Sequence, residues 1–177
     1  MHQDSKDFME SVRLRFPSYF KGVRVLDCGS YDVNGNNKYL FEDCDYVGLD
    51  LAPGKNVDVV SKISDYRPDL KFHTVISTNC FEHDAEWRDS IPHAASLLEP
   101  KGLFVFSCSG HGTKEHGTKQ CSPEASLSSD IWEYYCNLSE EDVRSVLDMR
   151  IFHTYEFNLH TRRKGMGTDL QFWGMLL

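Results

Sequence analysis

The sequence predicts an α/β fold with a doubly wound, mostly parallel sheet, and three observations support this prediction. Short aliphatic and aromatic runs alternate with segments of helical periodicity between residues 4 and 106. The first run, residues 23–28, is rich in β-branched and aliphatic residues, which is typical of a parallel strand buried on both faces. Two further apolar runs flank the polar, glycine-containing stretch 161–168, which predicts an antiparallel hairpin at the C-terminus.

The predicted elements follow one another in a regular order. Strands are expected at residues 23–28, 46–49, 57–60, 72–77, 103–106, 151–159 and 169–177. Helices are expected at residues 4–16 and 84–98, with a brief one at 38–42. A further helix should begin after Ser139, because a serine followed by three acidic residues is typical of a capped helix start.

A single folded unit is expected across residues 1–177, because a chain of this length fits one domain with a sizeable core. Residues 1–20 should form an N-terminal helix, and residues 107–137 a long loop over the active-site face. Long irregular segments that follow a sheet strand are more often functional than filler, because loops at strand ends carry binding groups.

Composition and charge restrict the classes of function. A formal net charge of -8 and a pI near 5.4 oppose nucleic-acid binding, which depends on neutralising phosphates. The one basic run, residues 162–164, is expected to be a solvated hairpin tip. No apolar run reaches membrane-spanning length, and the N-terminus lacks a secretory signal pattern. We therefore expect a cytoplasmic protein that has no membrane contact and six reduced cysteines.

Candidate binding residues lie just past the strands, where ligands bind in open α/β sheets. Asp27 ends the first strand, and Gly29 then lets a ligand approach the backbone without a Cβ in the way. Asp50 ends the second strand about 21 residues further on, an offset from which a carboxylate can bind both hydroxyls of a ribose. Together these three residues predict a nucleoside pocket.

The turn after the first strand discriminates between nucleoside cofactors. A dinucleotide needs the pattern G-x-G-x-x-G, but Tyr31 and Asn34 stand at the second and third glycine positions, so a pyrophosphate is disfavoured. S-adenosylmethionine carries no phosphate. Its sulfonium and ammonium groups suit a turn that contains the acids Asp27 and Asp32.

Four segments in order resemble the motifs of class I S-adenosylmethionine-dependent methyltransferases, close to the type 11 methyltransferase domains. They are VLDCGS, YVGLDLAPG, VISTNCFEH and LLEPKGLFVFS, and the terminal DLQFWGMLL is similar to the family's last strand. The resemblance covers about residues 23–107. It implies a Rossmann-like, mostly parallel seven-stranded sheet with an antiparallel C-terminal hairpin, and S-adenosyl-L-methionine as the cofactor.

The resemblance also implies the residues that would hold this cofactor, with Asp50 on the ribose and Leu51 on the adenine. The expected set is Asp27, Gly29, Ser30, Tyr31, Asp50, Leu51, Ile63, Ser64, Asn79, Cys80, Phe81 and His83. The chain departs from the family at the glycine-rich turn, which is expected to return through Asn34 and Gly35. It departs again at SKIS, where the family often has an acidic residue.

Methyl transfer depends mainly on close alignment, and a base is needed only where the acceptor must lose a proton early. His111 and His116, in the long polar loop, are the candidate catalytic residues, and His83 is a further candidate base. A zinc site of the two loop histidines with Cys121 has no recognisable zinc spacing, so no metal is expected. The aromatic segment 130–135 either walls the pocket or packs in the core.

The sequence thus favours an S-adenosylmethionine-dependent methyltransferase that acts by in-line transfer on a small-molecule acceptor, as a monomer or homodimer. The short chain leaves little room for an added substrate domain. Two alternatives stay open. One is a protein that binds S-adenosylmethionine or S-adenosylhomocysteine without turnover, and the other is an NAD-dependent oxidoreductase, which Tyr31 and the terminal hairpin disfavour.

Overall fold

A computed structural model describes residues 2–126 and 131–177 of the chain. The helices are α1 (Gln3–Arg15), α2 (Trp87–Ser96) and α3 (Glu140–Val146). The strands are β1 (Arg24–Cys28), β2 (Asp45–Asp50), β3 (Val59–Val60), β4 (Phe72–Thr78), β5 (Leu98–Ser109), β6 (Phe152–Thr161) and β7 (Thr168–Leu176). Residues 38–42, predicted as a brief helix, contain one short 3-10 turn, Lys38–Leu40.

The strands form one seven-stranded sheet in the order β3-β2-β1-β4-β5-β7-β6. The pairs among β1, β2, β3, β4 and β5 are parallel, whereas β7 runs antiparallel to both β5 and β6. The predicted doubly wound, mostly parallel sheet with a C-terminal antiparallel hairpin is therefore confirmed. The strand order reverses between β1 and β4, and this switch point opens a crevice beyond their carboxyl ends.

Helices cover both faces of the sheet, because successive strand residues point to opposite sides. Val25 of β1 packs in one core cluster with Met9 of α1. Leu26, one position later, belongs to a second cluster with Ile91 of α2 and Val143 of α3. The two clusters hold the sheet rigidly between its helices, so the side chains at the strand ends have fixed positions.

Strand β5 is longer than predicted. It was expected at residues 103–106, but it begins at Leu98, which already pairs with Phe72 of β4. Residues 100–102, expected to end the preceding helix, instead form an irregularity within the strand, with Lys101 at a φ of 65°. Helix α2 consequently ends at Ser96, before the predicted boundary.

The hairpin tip differs from the solvated turn that the basic run predicts. Arg162 is only 9% exposed, and its Nε donates to Oδ1 of Asp169 at 2.7 Å. Its Nη2 donates to Oγ of Ser109 at 3.0 Å. These charge-assisted bonds tie the hairpin tip to the end of β5.

The long segment between β5 and α3 is largely irregular in its described parts, 110–126 and 131–139, apart from a short 3-10 turn at Pro123–Ala125. The predicted aromatic segment 130–135 begins at Asp130, which lies outside the described residues. Helix α3 begins at the predicted cap. There the hydroxyl of Ser139 accepts from the amide of Asp142, whose carboxylate accepts from the Ser139 amide.

The state of the cysteines and the lengths of the helices can be read from the structure. All six cysteines carry free thiols. Within residues 2–126 and 131–177, no helix combines the length and the apolar character that a membrane span requires.

Candidate functional site

Two adjoining clefts open beyond the carboxyl ends of β1, β2 and β4. The β2-side cleft has a cavity volume of about 90 Å³ and is bounded by Asp50 and Leu51. The β4-side cleft is bounded by Asp27 and Asn37. The two share a wall formed by Gly29, Tyr31, Val33, Asn79, His83 and Ala125. One elongated ligand can therefore extend through both clefts.

Gly29 brings the turn after β1 close to the segment that follows β4. Its φ is +79°, and its amide donates to the Leu49 carbonyl at 2.8 Å. A Cβ added at this position would lie 2.4 Å from both Cβ and Sγ of Cys80. Any other side chain here would be strained in the backbone and would overlap Cys80.

The turn from Ser30 to Gly35 runs back toward β2. The carboxylate of Asp32 accepts from the Gly35 amide at 2.5 Å and from Nδ2 of Asn36 at 2.8 Å, and it pairs with Nζ of Lys55 at 2.6 Å. The Lys55 ammonium accordingly lowers the pKa of Asp32 to about 2. Asp32 therefore holds the turn in place, and its oxygens are not directed to a cationic ligand as the sequence suggested.

Tyr31 occupies the position of the missing second glycine. Its amide donates to Oδ2 of Asp50 at 2.9 Å, which fastens the turn to the end of β2. Its ring packs on Gly54, where an added Cβ would lie 2.2 Å from the Tyr31 Cε2 atom. A side chain is tolerated at this turn because Gly54, on the facing loop, leaves room for it.

Asp50 lines the β2-side cleft, where backbone amides surround its carboxylate. Its Oδ1 accepts from the amides of Leu51 at 2.7 Å and Ala52 at 3.4 Å, in addition to the Tyr31 bond on Oδ2. Burial raises the pKa of Asp50, and these amides oppose the rise. Because two carboxylate oxygens offer about four acceptor sites, Asp50 retains capacity for a donor from a ligand.

Asp27 is almost fully buried at the base of the β4-side cleft, with 2% of its surface exposed. The Tyr46 hydroxyl donates to its Oδ2. Its Oδ1 is buried with no hydrogen-bond partner in the part of the chain that the structure describes. Burial raises the pKa of Asp27 to about 7, the Tyr46 hydroxyl opposes the rise, and the Asp50 charge adds to it.

Two more buried acceptors without a partner among the described residues share this cleft with Asp27. They are Oγ of Ser30 and Oδ1 of Asn37. The Asn37 side chain is oriented by a 3.0 Å bond from its Nδ2 to Oγ1 of Thr78. Buried polar atoms almost always have partners, so three such atoms around one cleft indicate a donor-rich ligand group. An ammonium, with three donors and a positive charge, matches this set.

The β2-side cleft offers apolar walls at its far end. Leu51 and Ile63 line it, and Trp132 of the long segment closes it. Nζ of Lys62 lies 5.4 Å from the centroid of the Trp132 ring, a cation–π distance that helps to hold the ring in place. A flat apolar group fits between such walls.

The structure brings most of the predicted cofactor residues to the clefts. Those that line them are Asp27, Gly29, Ser30, Tyr31, Asp50, Leu51, Ile63, Asn79, Cys80 and His83. Ser64 lies beside the cleft, where its hydroxyl donates to Glu86 at 2.8 Å. Phe81 is wholly buried against Phe106 and lines neither cleft.

The two predicted catalytic histidines lie in different surroundings. His116 lines the β4-side cleft, whereas His111 is exposed at a turn and lines neither cleft. Cys121, weighed with them as a zinc ligand, is also exposed. The fold brings His116 together with Glu82 and His83, and not with His111 and Cys121.

Several lining residues were not in the predicted cofactor set. They are His2, Val33, Asn36, Asn37, Ser61, Thr78, Asp84, Ala125 and Ser126, together with Asn34 and Gly35, through which the turn was expected to return. Val33 and Ser61 lie among the strand-end positions that the sequence marks, and Thr78, the last residue of β4, directly follows the predicted strand 72–77. Asn37 belongs to a polar turn whose path depends on tertiary contacts, and no local pattern indicates its role. For the aromatic segment that contains Trp132, the sequence predicted either a wall of the pocket or packing in the core. Trp132 is a wall residue. The Tyr134 hydroxyl instead accepts a hydrogen bond from the buried Trp87.

Comparison with known proteins identifies the fold. No model of a protein family matches the sequence. No curated protein sequence matches it either. Among solved structures, a 1,6-didemethyltoxoflavin-N1-methyltransferase from Burkholderia thailandensis, with bound 1,6-didemethyltoxoflavin and S-adenosylhomocysteine, superposes with a TM-score of 0.65 at 14% identity, over 97% of this chain and 77% of that one.

Two further solved structures are similar. The N-methyltransferase NodS from Bradyrhizobium japonicum WM9, in complex with S-adenosylhomocysteine, has a TM-score of 0.65 at 14% identity, over 97% of this chain and 86% of that one. Magnesium protoporphyrin IX methyltransferase from Synechocystis PCC 6803, with bound S-adenosylmethionine, has a TM-score of 0.64 at 16% identity, over 98% and 80%. The chain therefore has the class I S-adenosylmethionine-dependent methyltransferase fold, as the sequence resemblance implied.

Proposed function

We propose that this protein is an S-adenosylmethionine-dependent methyltransferase that acts on a small-molecule acceptor. The observation that carries the proposal is the set of three buried acceptors without described partners, on Asp27, Ser30 and Asn37, at one end of a bipartite cleft. The carboxylate of Asp50 lines the adjoining β2-side cleft, which also has the apolar walls of Leu51, Ile63 and Trp132. This order matches an ammonium, a ribose and an adenine in one molecule.

Different residues would bind different parts of the cofactor. Asp27 and its two neighbours would accept hydrogen bonds from the ammonium of the methionine part. Asp50 would accept from the ribose hydroxyls, and Leu51, Ile63 and Trp132 would enclose the adenine. Gly29, where only glycine fits, lets the ligand pass along the backbone between these two ends. All three solved structures named above hold S-adenosylmethionine or S-adenosylhomocysteine, which supports the same cofactor here.

The bound cofactor would supply a methyl group that is attached to a positively charged sulfur. When an acceptor atom attacks the methyl carbon in line, the carbon–sulfur bond breaks and neutral S-adenosylhomocysteine is the leaving group. The protein's own part is to exclude water and to hold the acceptor close to that carbon. Residues Asn79, His83 and His116 line the β4-side cleft next to Asp27 and are placed to contact an acceptor. Of the two predicted catalytic histidines, it is therefore His116, and not the exposed His111, that would act on an acceptor.

The acceptor is proposed to be a small molecule that enters under the segment 107–137. Ala125, Ser126 and Trp132 of that segment already line the β2-side cleft, which leaves a limited opening. The segment is anchored to the hairpin tip, since Oγ1 of Thr113 donates to the Thr168 carbonyl at 2.8 Å. The compounds 1,6-didemethyltoxoflavin and magnesium protoporphyrin IX are named for two of the similar structures, which supports a small acceptor.

The proposal is tested by calorimetric binding of S-adenosylmethionine, S-adenosylhomocysteine and NAD to the full chain. Binding of the first two with one site and no binding of NAD is expected. The variant Asp27→Asn should lose most of this affinity, whereas Asp45→Asn, on the same sheet but at its opposite edge, should keep it. Preferential NAD binding, or equal affinity in the two variants, contradicts the proposal.

A second measurement distinguishes the enzyme from a non-catalytic binding protein. Release of S-adenosylhomocysteine is followed across a panel of small amines, hydroxyl compounds and carboxylic acids. Acceptor-dependent release supports the enzyme. Tight cofactor binding without release on any acceptor favours the binding protein.

A further inference from the structure

Three side chains with metal-binding chemistry meet at the edge of the β4-side cleft. They are Glu82 and His83, which follow β4, and His116 from the long segment. One ligand atom from each lies within 4.8 Å of the other two. Glu82 and His116 are 34 positions apart in the sequence, and only the fold brings them together.

Glu82 and His83 each have one buried side-chain atom with no hydrogen-bond partner among the described residues. Glu82 is fully buried; its Oε1 accepts from the amide and hydroxyl of Ser109 at 3.1 and 3.0 Å, but its Oε2 accepts from none of them. His83 is 8% exposed, and its Nδ1 is likewise unpartnered. Buried polar atoms of this kind call for a ligand, since an unsatisfied one costs free energy.

The His116 imidazole is oriented as metal ligands usually are. Its Nδ1 lies 2.9 Å from the Lys114 carbonyl, which can only accept, so Nδ1 carries the proton and Nε2 keeps its lone pair. Metal-binding histidines typically donate their second nitrogen to a carbonyl in this way. In His83, Nδ1 is the ring nitrogen that is buried without a partner among the described residues, so it is the nitrogen available to an ion.

The backbone holds the two histidines face to edge at close range. Gly117 has a φ of +67°, and an added Cβ would lie 2.7 Å from Cε1 and 3.2 Å from Nδ1 of His83. The free edge of the His83 ring therefore points at the turn that carries His116. The Tyr135 ring packs on both imidazoles, with centroid distances of 5.4 and 5.0 Å. The arrangement needs only small side-chain movements to bring all three donors to one point.

The donor set indicates the class of ion. Two imidazole nitrogens and one carboxylate oxygen suit divalent transition metals, at bond lengths of about 2.0 to 2.2 Å. Three protein ligands leave positions open for a substrate oxygen. His83 and His116 both line the cleft that contains Asp27 and Gly29, so these open positions face the acceptor side of the proposed cofactor site.

We propose that Glu82, His83 and His116 bind one divalent transition metal ion, of the Zn²⁺ or Mn²⁺ type, which holds an oxygen atom of the acceptor in the β4-side cleft. The ion-binding part stands on the three side chains alone, and the acceptor part rests on the proposed methyltransferase function. An acceptor hydroxyl bound to the ion would lose its proton to water more readily. Its oxygen would then form a bond to the methyl carbon as the carbon–sulfur bond breaks, with the electron pair remaining on sulfur.

The test is metal binding by the full chain, prepared without a histidine tag and freed of metal with a chelator. Zn²⁺ and Mn²⁺ are titrated by calorimetry, and Co²⁺ serves as a probe because its visible spectrum reports nitrogen and oxygen ligation. One equivalent is expected to bind to the unchanged protein and to His111→Ala, the matched control on the same segment. His116→Ala and Glu82→Gln should each weaken binding about 100-fold or more, because even supporting partners of metal ligands are worth 10- to 100-fold.

The outcomes separate this site from the proposed function. Glu82→Gln changes a buried residue and can fail to fold; His116→Ala, at a half-buried position, then decides, with circular dichroism of each variant as the check on folding. No binding of any of the three ions, or unchanged affinity in folded His116→Ala, overturns the site and leaves a purely aromatic packing role for the histidines. Calorimetry with S-adenosylmethionine on the metal-free protein is the separate test of the cofactor site. Metal binding without cofactor binding overturns only the methyltransferase proposal.

Discussion

The two halves of the candidate site are built differently. The cofactor half is formed by residues at the ends of β1, β2 and β4, each placed by sheet register, as in the pairing of Cys28 with both Leu49 and Ser77. The acceptor half depends on the segment that follows β5, whose described parts, 110–126 and 131–139, have little regular structure and rely on bonds such as that of Thr113 to the hairpin. Core packing fixes the positions of the cofactor-binding residues, whereas a few polar contacts fix the positions of the acceptor-binding residues. Substitutions should therefore cost stability and binding together in the first half and separately in the second.

Two glycines provide the largest expected contrast. Gly29 and Gly112 share a φ of +79°, but an added Cβ at Gly29 would lie 2.4 Å from Cys80, whereas at Gly112 it would meet nothing within 4 Å. Gly29→Ala should lower the free energy of unfolding by about 3 kcal/mol through backbone strain and overlap, and Gly112→Ala by about 1 kcal/mol through strain alone. Urea denaturation measures both. Equal losses would show that the strand-end turn is no more tightly packed than the loop.

Asp50→Ala is expected to have the next largest effect. Removal of the carboxylate takes an acceptor from the ribose and frees the Tyr31 amide that fastens the turn. The dissociation constant for S-adenosylhomocysteine should rise roughly 10- to 100-fold, the range for a hydrogen bond to a charged group. Calorimetry measures the change, with Asp45→Ala as the control. An unchanged constant would remove Asp50 from the site.

The pH dependence of Asp27 gives a smaller effect with a definite sign. Burial raises the pKa of Asp27 to about 7 in the folded protein, against 3.8 for an ordinary aspartate. The folded state thus binds more protons between these values, and the free energy of unfolding should fall as pH rises from about 4 to 7 and then level off. An ammonium favours the ionised carboxylate, so cofactor affinity should increase roughly eightfold from pH 6 to 7.5, with release of a proton.

Asp27→Asn should remove both dependences. Urea denaturation and calorimetry across this pH range are the measurements, and a buffer-dependent binding enthalpy reports the released proton. Affinity that is level with pH in the unchanged protein would mean that Asp27 does not meet the ammonium.

The smallest effect is expected from the loop wall. Trp132→Ala removes one wall of the β2-side cleft while leaving the strand ends intact, so it should weaken S-adenosylmethionine binding about three- to fivefold. The melting temperature should hardly change. Equilibrium binding measures the affinity, and a thermal melt measures the stability. A large loss of stability would show that the Trp132 side chain is part of the hydrophobic core, which contradicts its role as a wall of the cleft.

The same contrast explains what the sequence could predict. A continuous apolar run such as residues 103–106 is unambiguous, because burial on both faces leaves few alternatives. The positions of Asp27, Gly29 and Asp50 follow from the ends of the predicted strands. The length of β5 was missed because Pro100 and Gly102 normally end an element, whereas here pairing with β4 carries the strand through them.

Tertiary contacts account for the remaining errors. The route of the turn past Tyr31 depends on Lys55 and Gly54, from another loop. Arg162 was expected in solvent, yet Asp169 and Ser109 draw it into a buried ion pair. The grouping of Glu82 and His83 with His116 has no sequence spacing to reveal it, because the loop that joins them is positioned by the fold.

The most direct measurement is an experimental structure of the full chain with S-adenosylhomocysteine. The amino group of the ligand is expected within hydrogen-bonding distance of Oδ1 of Asp27, the ribose hydroxyls on Asp50, and the adenine between Leu51 and Trp132. A ligand bound with its amino group away from Asp27, or in a cleft other than these two, would contradict the proposed cofactor site.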